Sequence, residues 1–367
     1  MNQHRLLLLP AVAMTAVLLV ACGGGDGGGG FATGEGTEDG IVVQMDGESR
    51  EDYLGRLYEA AKEEGAVAYY TAANESETEV ITENWNEMYP GIELEPVSAS
   101  SGTLLERALL EAETGNMQGD VFHASSADVA VLEAEGAWAG YVPVNAVDVA
   151  DEFKADGEPV PASYLTYHPA YNTNLVDEAD LPDEWMGYCE PEWKGRLAID
   201  QDAADWAAGI LAGMGQEDGM AFLECLAANE PRLVRGTSNR TELLASGDYA
   251  VMLDGYGHSL LESEEEGAPI RAQRPSPSPL PALPQFEMVF EEAPHPNAAR
   301  LLAEFFLTPE GQEAWLNRNK AGVLAGGERQ PNKDLVEGAE VVYLNPGDTD
   351  FEAAYRIVTE TFIQAPK

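Results

Sequence analysis

The chain has 367 residues, long enough for two domains of ordinary size, and 44% of them are hydrophobic, enough for full cores. Against 65 acidic side chains stand 20 basic ones, a net charge of −45. That balance excludes a nucleic-acid partner, because no basic stripe is available to neutralise phosphates, and the apolar content excludes a disordered acidic chain. The acids are spread along the whole length, the pattern of a solvated surface in salty surroundings rather than of a polycation-binding patch.

The chain opens with Arg5 and an apolar run, Leu6 to Val20, of fifteen residues. Spanning a bilayer takes about 20, and no basic stop-transfer cluster follows, so the plan is that of a secretory signal. Leu19-Val20-Ala21-Cys22 resembles the lipobox of bacterial lipoproteins. The resemblance implies that a signal peptide, residues 1–21, is cut off and that Cys22 becomes a lipidated N-terminus. The body would then sit on the extracytoplasmic face of a membrane. Residues 23–40 hold ten glycines in eighteen positions, so 22–50 is expected to be a tether, with folding from near Arg50. Of the three cysteines, Cys189 and Cys225 remain as an even pair in an oxidising compartment. A disulfide is expected between them, with two buried free thiols as the alternative.

Beyond Arg50, helix and strand patterns alternate. A helix over 51–64 ends at Gly65, a strand covers 66–71, and Ser76-Glu77-Thr78-Glu79 reads as a capping box. A strand over 92–97 leads to a second capping box, Thr103 to Glu106. A third strand, 120–123, leads to a helix from Ser126. The second part repeats the grammar with strands over 196–200, 233–235 and 249–253, each followed by a helix. Pro275 to Pro284 carries five prolines in ten residues and reads as an extended connector, not a central strand. A strand over 286–290, helices opening at His295-Pro296 and at Thr308-Pro309, and an amphipathic helix over 351–362 complete the pattern. Strands alternating with helices predict mostly parallel sheets covered on both faces.

In such folds ligands bind outside the carboxyl ends of strands, where helix N-termini present free N–H groups. Small polar residues follow six of the predicted strands, so Asn74, Ser100, Ser125, Asp200, Thr237, Arg240 and Tyr256 are candidate ligand contacts. Ser, Thr and Asn are also the ordinary capping residues, which weakens any one loop taken alone. Trp206 offers a stacking face or a core residue. Asp254, Tyr256 and His258 form the one compact polar cluster, with His258 read as a helix cap. No catalytic motif (G-x-S-x-G, H-E-x-x-H, C-x-x-C or a phosphate-binding G-x-x-x-x-G-K-[ST]) is present, so no enzyme activity and no cofactor are expected.

Several segments carry a family resemblance. LYEAAKEEGAVAYYTAANE, SSGTLLERALLEAETGNMQGDVFHASS, YHPAYNTNLV, EWKGRLAID and HPNAARLLAEFFLTPEGQEAW resemble the extracellular solute-binding proteins of bacterial ABC importers, closest to the ferric-iron-binding branch. The resemblance implies a two-lobed α/β fold of the type II periplasmic binding protein kind, with mixed or parallel sheets and a hinge. Lobe I would be built from 51–168 and 276–367 and lobe II from 169–275, with Ala170 to Val176 as the first crossing. It also implies a monomer that captures a small solute and passes it to a membrane permease. In the iron branch the ligands are a histidine, a glutamate and two adjacent tyrosines. The matching positions here are Asn74, Ser125 and Tyr256-Gly257, which puts iron behind an organic or phosphorylated solute. Tyr256, His258 and His123 are the alternative metal ligands. An extracytoplasmic enzyme on the same two-lobed scaffold and a sensory module are the remaining alternatives.

Overall fold

The computed structural model describes residues 36–154, 159–326 and 332–364. The expected signal peptide, Cys22 and the first part of the tether lie outside these residues. Order nonetheless begins well before Arg50. A small hairpin, β1 (Thr37–Glu38) and β2 (Ile41–Val42), precedes α1 (Arg50–Glu64). Arg56 of α1 donates to the Gly36 and Val43 carbonyls and to the Glu48 carboxylate, and the Val42 N–H donates to Asn297 Oδ1 at 2.8 Å. The apolar triplet Ile41-Val42-Val43 has a face to bury, which the surrounding glycines conceal in a composition count, and Val42 is buried.

The first half continues β3 (Ala66–Thr71), α2 (Glu75–Met88), β4 (Glu93–Ser98), α3 (Ser101–Thr114), β5 (Val121–Ser125), α4 (Ser126–Ala134) and β6 (Pro161–Asn172). The second runs β7 (Leu197–Asp200), α5 (Ala204–Met214), α6 (Gln216–Ala228), β8 (Arg232–Val234), α7 (Thr237–Ser246), β9 (Val251–Tyr256), α8 (Gly257–Glu265) and β10 (Ile270–Ala272). The chain then follows β11 (Leu280–Val289), α9 (Pro296–Phe306), α10 (Pro309–Asn317), β12 (Ala321–Gly322), α11 (Lys333–Val336), β13 (Val341–Tyr343) and α12 (Phe351–Val358).

Hydrogen bonding orders the strands β4-β3-β5-β11-β6-β9-β7-β8. The flanking sets, β4, β3 and β5 on one side and β9, β7 and β8 on the other, are each internally parallel. β6 and β11 lie antiparallel between them and join the two sets. Residues 161–166 of β6 pair with β11, and Tyr167 to Tyr171 pair with β9, so the chain changes partners between Thr166 and Tyr167. That point lies a few residues before the Ala170–Val176 stretch expected to make the crossing.

Two further expectations change. β11 is a central strand although it contains Pro281 and Pro284. Pro281 lies against Gly209, and Pro279, just before the strand, lies against Gly213, so bare glycine backbone on α5 makes room for both rings. The register shifts next to Pro284, between Gln285 and Phe286. The strand thus keeps its place because its prolines sit at a helix contact and a bulge, where a missing N–H is tolerated. The C-terminal segment, assigned whole to the first lobe, divides. Leu344, Ala354 and Val358 share an apolar cluster with Trp185, Trp206 and Phe222, because the apolar face of α12 packs on α5. The first half has its own core, in which Trp85, Phe305, Phe306 and Trp315 join Val42 and Val323.

Candidate ligand-binding cleft

The carboxyl ends of β3, β4 and β5 each lead into a helix capped by the chain itself. Asn74 Oδ1 accepts from the Glu77 N–H at 3.0 Å, Ser100 caps α3, and Ser125 caps α4 in a reciprocal capping box with Asp128. In α2 the capping box is therefore Asn74 with Glu77, two residues earlier than Ser76 with Glu79. In α3 the cap is Ser100 rather than Thr103. In both loops the helix starts earlier than its capping-box pattern suggests, because a polar residue soon after the strand end takes the cap. In the other half α5, α7 and α8 have no side-chain cap among the described residues. In α5 the first N–H, that of Ala204, donates instead to the Asp202 carbonyl at 2.8 Å.

Beneath those helices Arg240 is 1% exposed and is held by Asp200 at 3.1 Å and by Asp254. Burial works against its charge, but Asp254 and Asp200 more than offset it and hold its pKa above the ordinary value. Its Nη1 and Nη2 are held by these carboxylates, so Arg240 and Asp200 form a structural cluster rather than a free anion grip, with Nε left buried and without a partner among the described residues. Trp206 is fully buried, edge-on to Trp185 at 5.8 Å and to Phe222 at 6.0 Å, and is core rather than a stacking face. The helical repeat turns it away from the strand ends while its neighbour Asp205, in the first turn of α5, stays partly exposed.

Tyr256 closes β9. Its ring lies 5.0 Å from that of Tyr167, its register partner on β6, with the two hydroxyls 3.4 Å apart. His258 stacks on the other side at 5.8 Å. Burial pushes the Tyr256 phenol up to about 12, and burial with the charges of Lys320 and Arg318 pushes His258 down to about 3, so both are neutral at pH 7. Lys320 and Arg318 come from the first half. Arg318, at the end of α10, meets Glu262 of α8 at 3.1 Å, and Lys320 pairs with Glu77 at 2.6 Å. The two halves therefore face each other here. On the same front, Asp205 has its carboxyl pushed up to about 6 by burial and by the charge of Asp128 on α4.

The candidate residues thus separate. Ser125, through its partner Asp128, comes to the same region as Tyr256, as does Asn74 through Glu77 and Lys320. Among the described residues, Ser100 and Thr237 have no contact that links them to this group. His123 is engaged within its own half, on Glu287 at 2.8 Å and stacked on Trp315 at 4.9 Å. Among the described residues no three His, Cys, Asp or Glu side chains are grouped to hold a metal ion. Sequence reasoning passed over Asp128, Tyr167, Asp205 and the Arg318–Glu262 pair. Asp128 and Asp205 each left a local trace there, as an acid in a first helical turn. Cys189 and Cys225 are joined in a disulfide with Cα atoms 5.5 Å apart, within the second half.

Two α/β halves, each with strand carboxyl ends turned to a shared gap and joined by two crossing strands, define a periplasmic-binding-protein fold of type II. The model of the bacterial extracellular solute-binding protein family matches residues 68–313, and the chain belongs to that family. It is a solute-binding protein that works with an ABC transporter, and not an enzyme. Among solved structures, iron-bound HitA from Pseudomonas aeruginosa is similar at 20% identity and TM-score 0.68, over 81% of this chain and 99% of that one. A periplasmic thiamin binding protein is similar at 18% identity and TM-score 0.67, over 81% and 96%. AfuA from Actinobacillus pleuropneumoniae, with fructose-6-phosphate bound, is similar at 19% identity and TM-score 0.63, over 82% and 99%. These three proteins carry the names of three different ligands on one fold. No curated protein matches the chain.

Proposed function

We propose that the protein is a monomeric receptor, anchored through lipid on Cys22, that closes on a small polar organic solute beside Tyr256 and presents it to an ABC permease. The observation that carries the reading is the meeting of the two halves around Tyr256. Arg318 reaches Glu262 from one half to the other, and Asp128 acts on Asp205 in the same way. A ligand held there touches both halves at once, which is what couples binding to hinge closure.

The ferric reading has less support. Of its alternative ligands, the Tyr256 hydroxyl bonds Tyr167, His258 Nε2 is 3.2 Å from Ser259 Oγ, and His123 is engaged by Glu287.

Thermal-shift titration with ferric citrate, citrate alone and a panel of organic solutes tests the proposal. A solute that binds only the folded form stabilises it by about 2.7 kcal/mol at a hundredfold excess over Kd. Tyr256→Ala is expected to abolish the shift while leaving the unliganded protein folded. A shift with ferric citrate and none with citrate would replace this reading by the metal one.

A further inference from the structure

A buried polar path runs through the point where β6 changes partner. The ladder between β6 and β10 ends with the Gln273 N–H on the Pro169 carbonyl at 2.8 Å. Pairing of β6 with the returning chain resumes only at Thr166 with Ala282. His168 and Ser276 stand in this interruption. His168 Nε2 lies 2.8 Å from Thr166 Oγ1, and Nδ1 lies 2.7 Å from Ser276 Oγ. The Ser276 hydroxyl donates to the Gln273 carbonyl at 3.0 Å. The Gln273 side chain accepts from the Tyr188 hydroxyl and donates to the Pro182 carbonyl, both at 2.6 Å. Tyr188 belongs to the apolar cluster of the second half. No side chain on this path is more than 5% exposed. Ser276 has one proton and gives it to Gln273, so Nδ1 carries the imidazole hydrogen and Nε2 accepts from the Thr166 hydroxyl. Burial, with the charge of Arg274, pushes His168 down to about 3 and keeps the ring neutral in that role. The turn after Tyr256 rests on the same ring. A Cβ on Gly257 would stand 2.9 Å from Thr166 Oγ1 and 3.0 Å from His168 Nε2, so the close approach requires glycine.

From this arrangement we infer that His168 is the positioning residue of the hinge. It ties the first crossing to the return where their backbone ladder is broken, and it seats the Tyr256 turn on both. Segments held by apolar packing alone can slide, whereas parting a buried hydrogen bond leaves a desolvated donor or acceptor behind. The clasp therefore makes closure a rotation of the halves about His168 rather than a separation of the two crossings. A solute that moves Tyr256 acts through Gly257 on the same imidazole, so binding and rotation share one contact. The inference rests on the receptor reading above and assigns the residue through which its closure is transmitted.

The test is amide exchange read by mass spectrometry, with small-angle scattering, on the purified unliganded protein. Thr166→Val and Ser276→Ala each cut one link with little change of volume, and His168→Phe cuts both. Each is expected to speed exchange at least about fivefold over 164–172, 253–258 and 273–280, the size of one lost hydrogen bond, and to change 53–61 by less than about twofold. Each should also enlarge the radius of gyration. Tyr249→Phe removes a buried hydroxyl bond to the Arg240 carbonyl within the second half and should leave both crossings as they are. Once one link is gone the ring no longer bridges, so Thr166→Val combined with Ser276→Ala should match the stronger single variant. A purely structural role would instead give independent, additive losses. Acceleration spread evenly along the chain, full additivity of the two links, or an unaltered 253–258 turn overturns the inference. These readouts need no solute, so their failure leaves the receptor reading standing, and a fruitless solute search counts against that reading alone.

Discussion

Arg318 and Glu262 bridge the two halves, with the guanidinium nitrogen Nη2 3.1 and 3.2 Å from the two carboxylate oxygens. The pair is about one third exposed, so its direct worth is at most about 1 kcal/mol. Such a contribution is still enough to shift an open–closed equilibrium several-fold. Arg318→Ala should therefore enlarge the radius of gyration of the unliganded protein in small-angle scattering and weaken ligand binding by a few-fold. The swapped pair, Arg318→Glu with Glu262→Arg, should restore both. A swap no better than either single charge reversal would show that the bridge does not set closure.

Asp205 carries a pH signature. Its carboxyl is pushed up to about 6 from an ordinary 3.8, chiefly by burial and then by Asp128. The folded form thus holds the proton more tightly than the unfolded form, and stability falls as pH rises from about 4 through 6. Above that window the ionised group costs on the order of 2 kcal/mol, after allowance for its partial exposure. Asp205→Asn should raise the unliganded Tm at pH 8 by several degrees and change it little at pH 4. A difference that is the same at both pH values would mean that the folded protein does not raise this carboxyl.

Trp206 and Tyr256 should behave oppositely. Trp206 is fully buried against Trp185 and Phe222, so Trp206→Ala should cost about 3–5 kcal/mol of stability and leave ligand affinity nearly unchanged in molecules that remain folded. Tyr256→Ala should show the reverse pattern in the same denaturant and titration experiments.

The seat of β11 on α5 depends on two missing side chains. A Cβ on Gly209 would stand 2.3 Å from Pro281, and one on Gly213 2.4 Å from Pro279. Either substitution to alanine should therefore destabilise by roughly 1–3 kcal/mol despite the better helix propensity of alanine. Urea unfolding would reveal it as a lower midpoint, and an unchanged midpoint would mean that the rings give way freely.

The Cys189–Cys225 disulfide closes a separation of 36 residues. Its loss should cost about 3–4 kcal/mol on the chain-entropy estimate. Reduction should lower the Tm of the wild type and have no effect on a double Cys→Ser variant, which intact mass after alkylation would accompany.

Much of this was readable in advance, for reasons that differ from residue to residue. The helices around Leu57, Trp85 and Phe305 announce themselves because a buried stripe at helical spacing is a local property of the chain. Tyr256 was legible because it ends an apolar strand. Its partner Tyr167 was not, because which strand lies beside β9 is decided by the crossing, far away in sequence. The same applies to Asp128 and Asp205, which acquire meaning only when two helix starts are brought face to face. Arg240 misled for a complementary reason. A lone arginine in a polar loop looks available until the sheet places Asp200 and Asp254 against it. Pro281 and Pro284 misled because the rule against proline in central strands does not foresee glycines on a helix opposite.

The way the chain is threaded bears on its order of assembly. Val42 and Val323 close one core, and Tyr167 and Val358 lie in the other. Neither core is complete until nearly all of the described sequence is present, so a nascent chain cannot finish one half and store it while the other is made. Long-range pairings of this kind delay folding to the end of synthesis. The two halves are therefore expected to mature together and to unfold as a single unit.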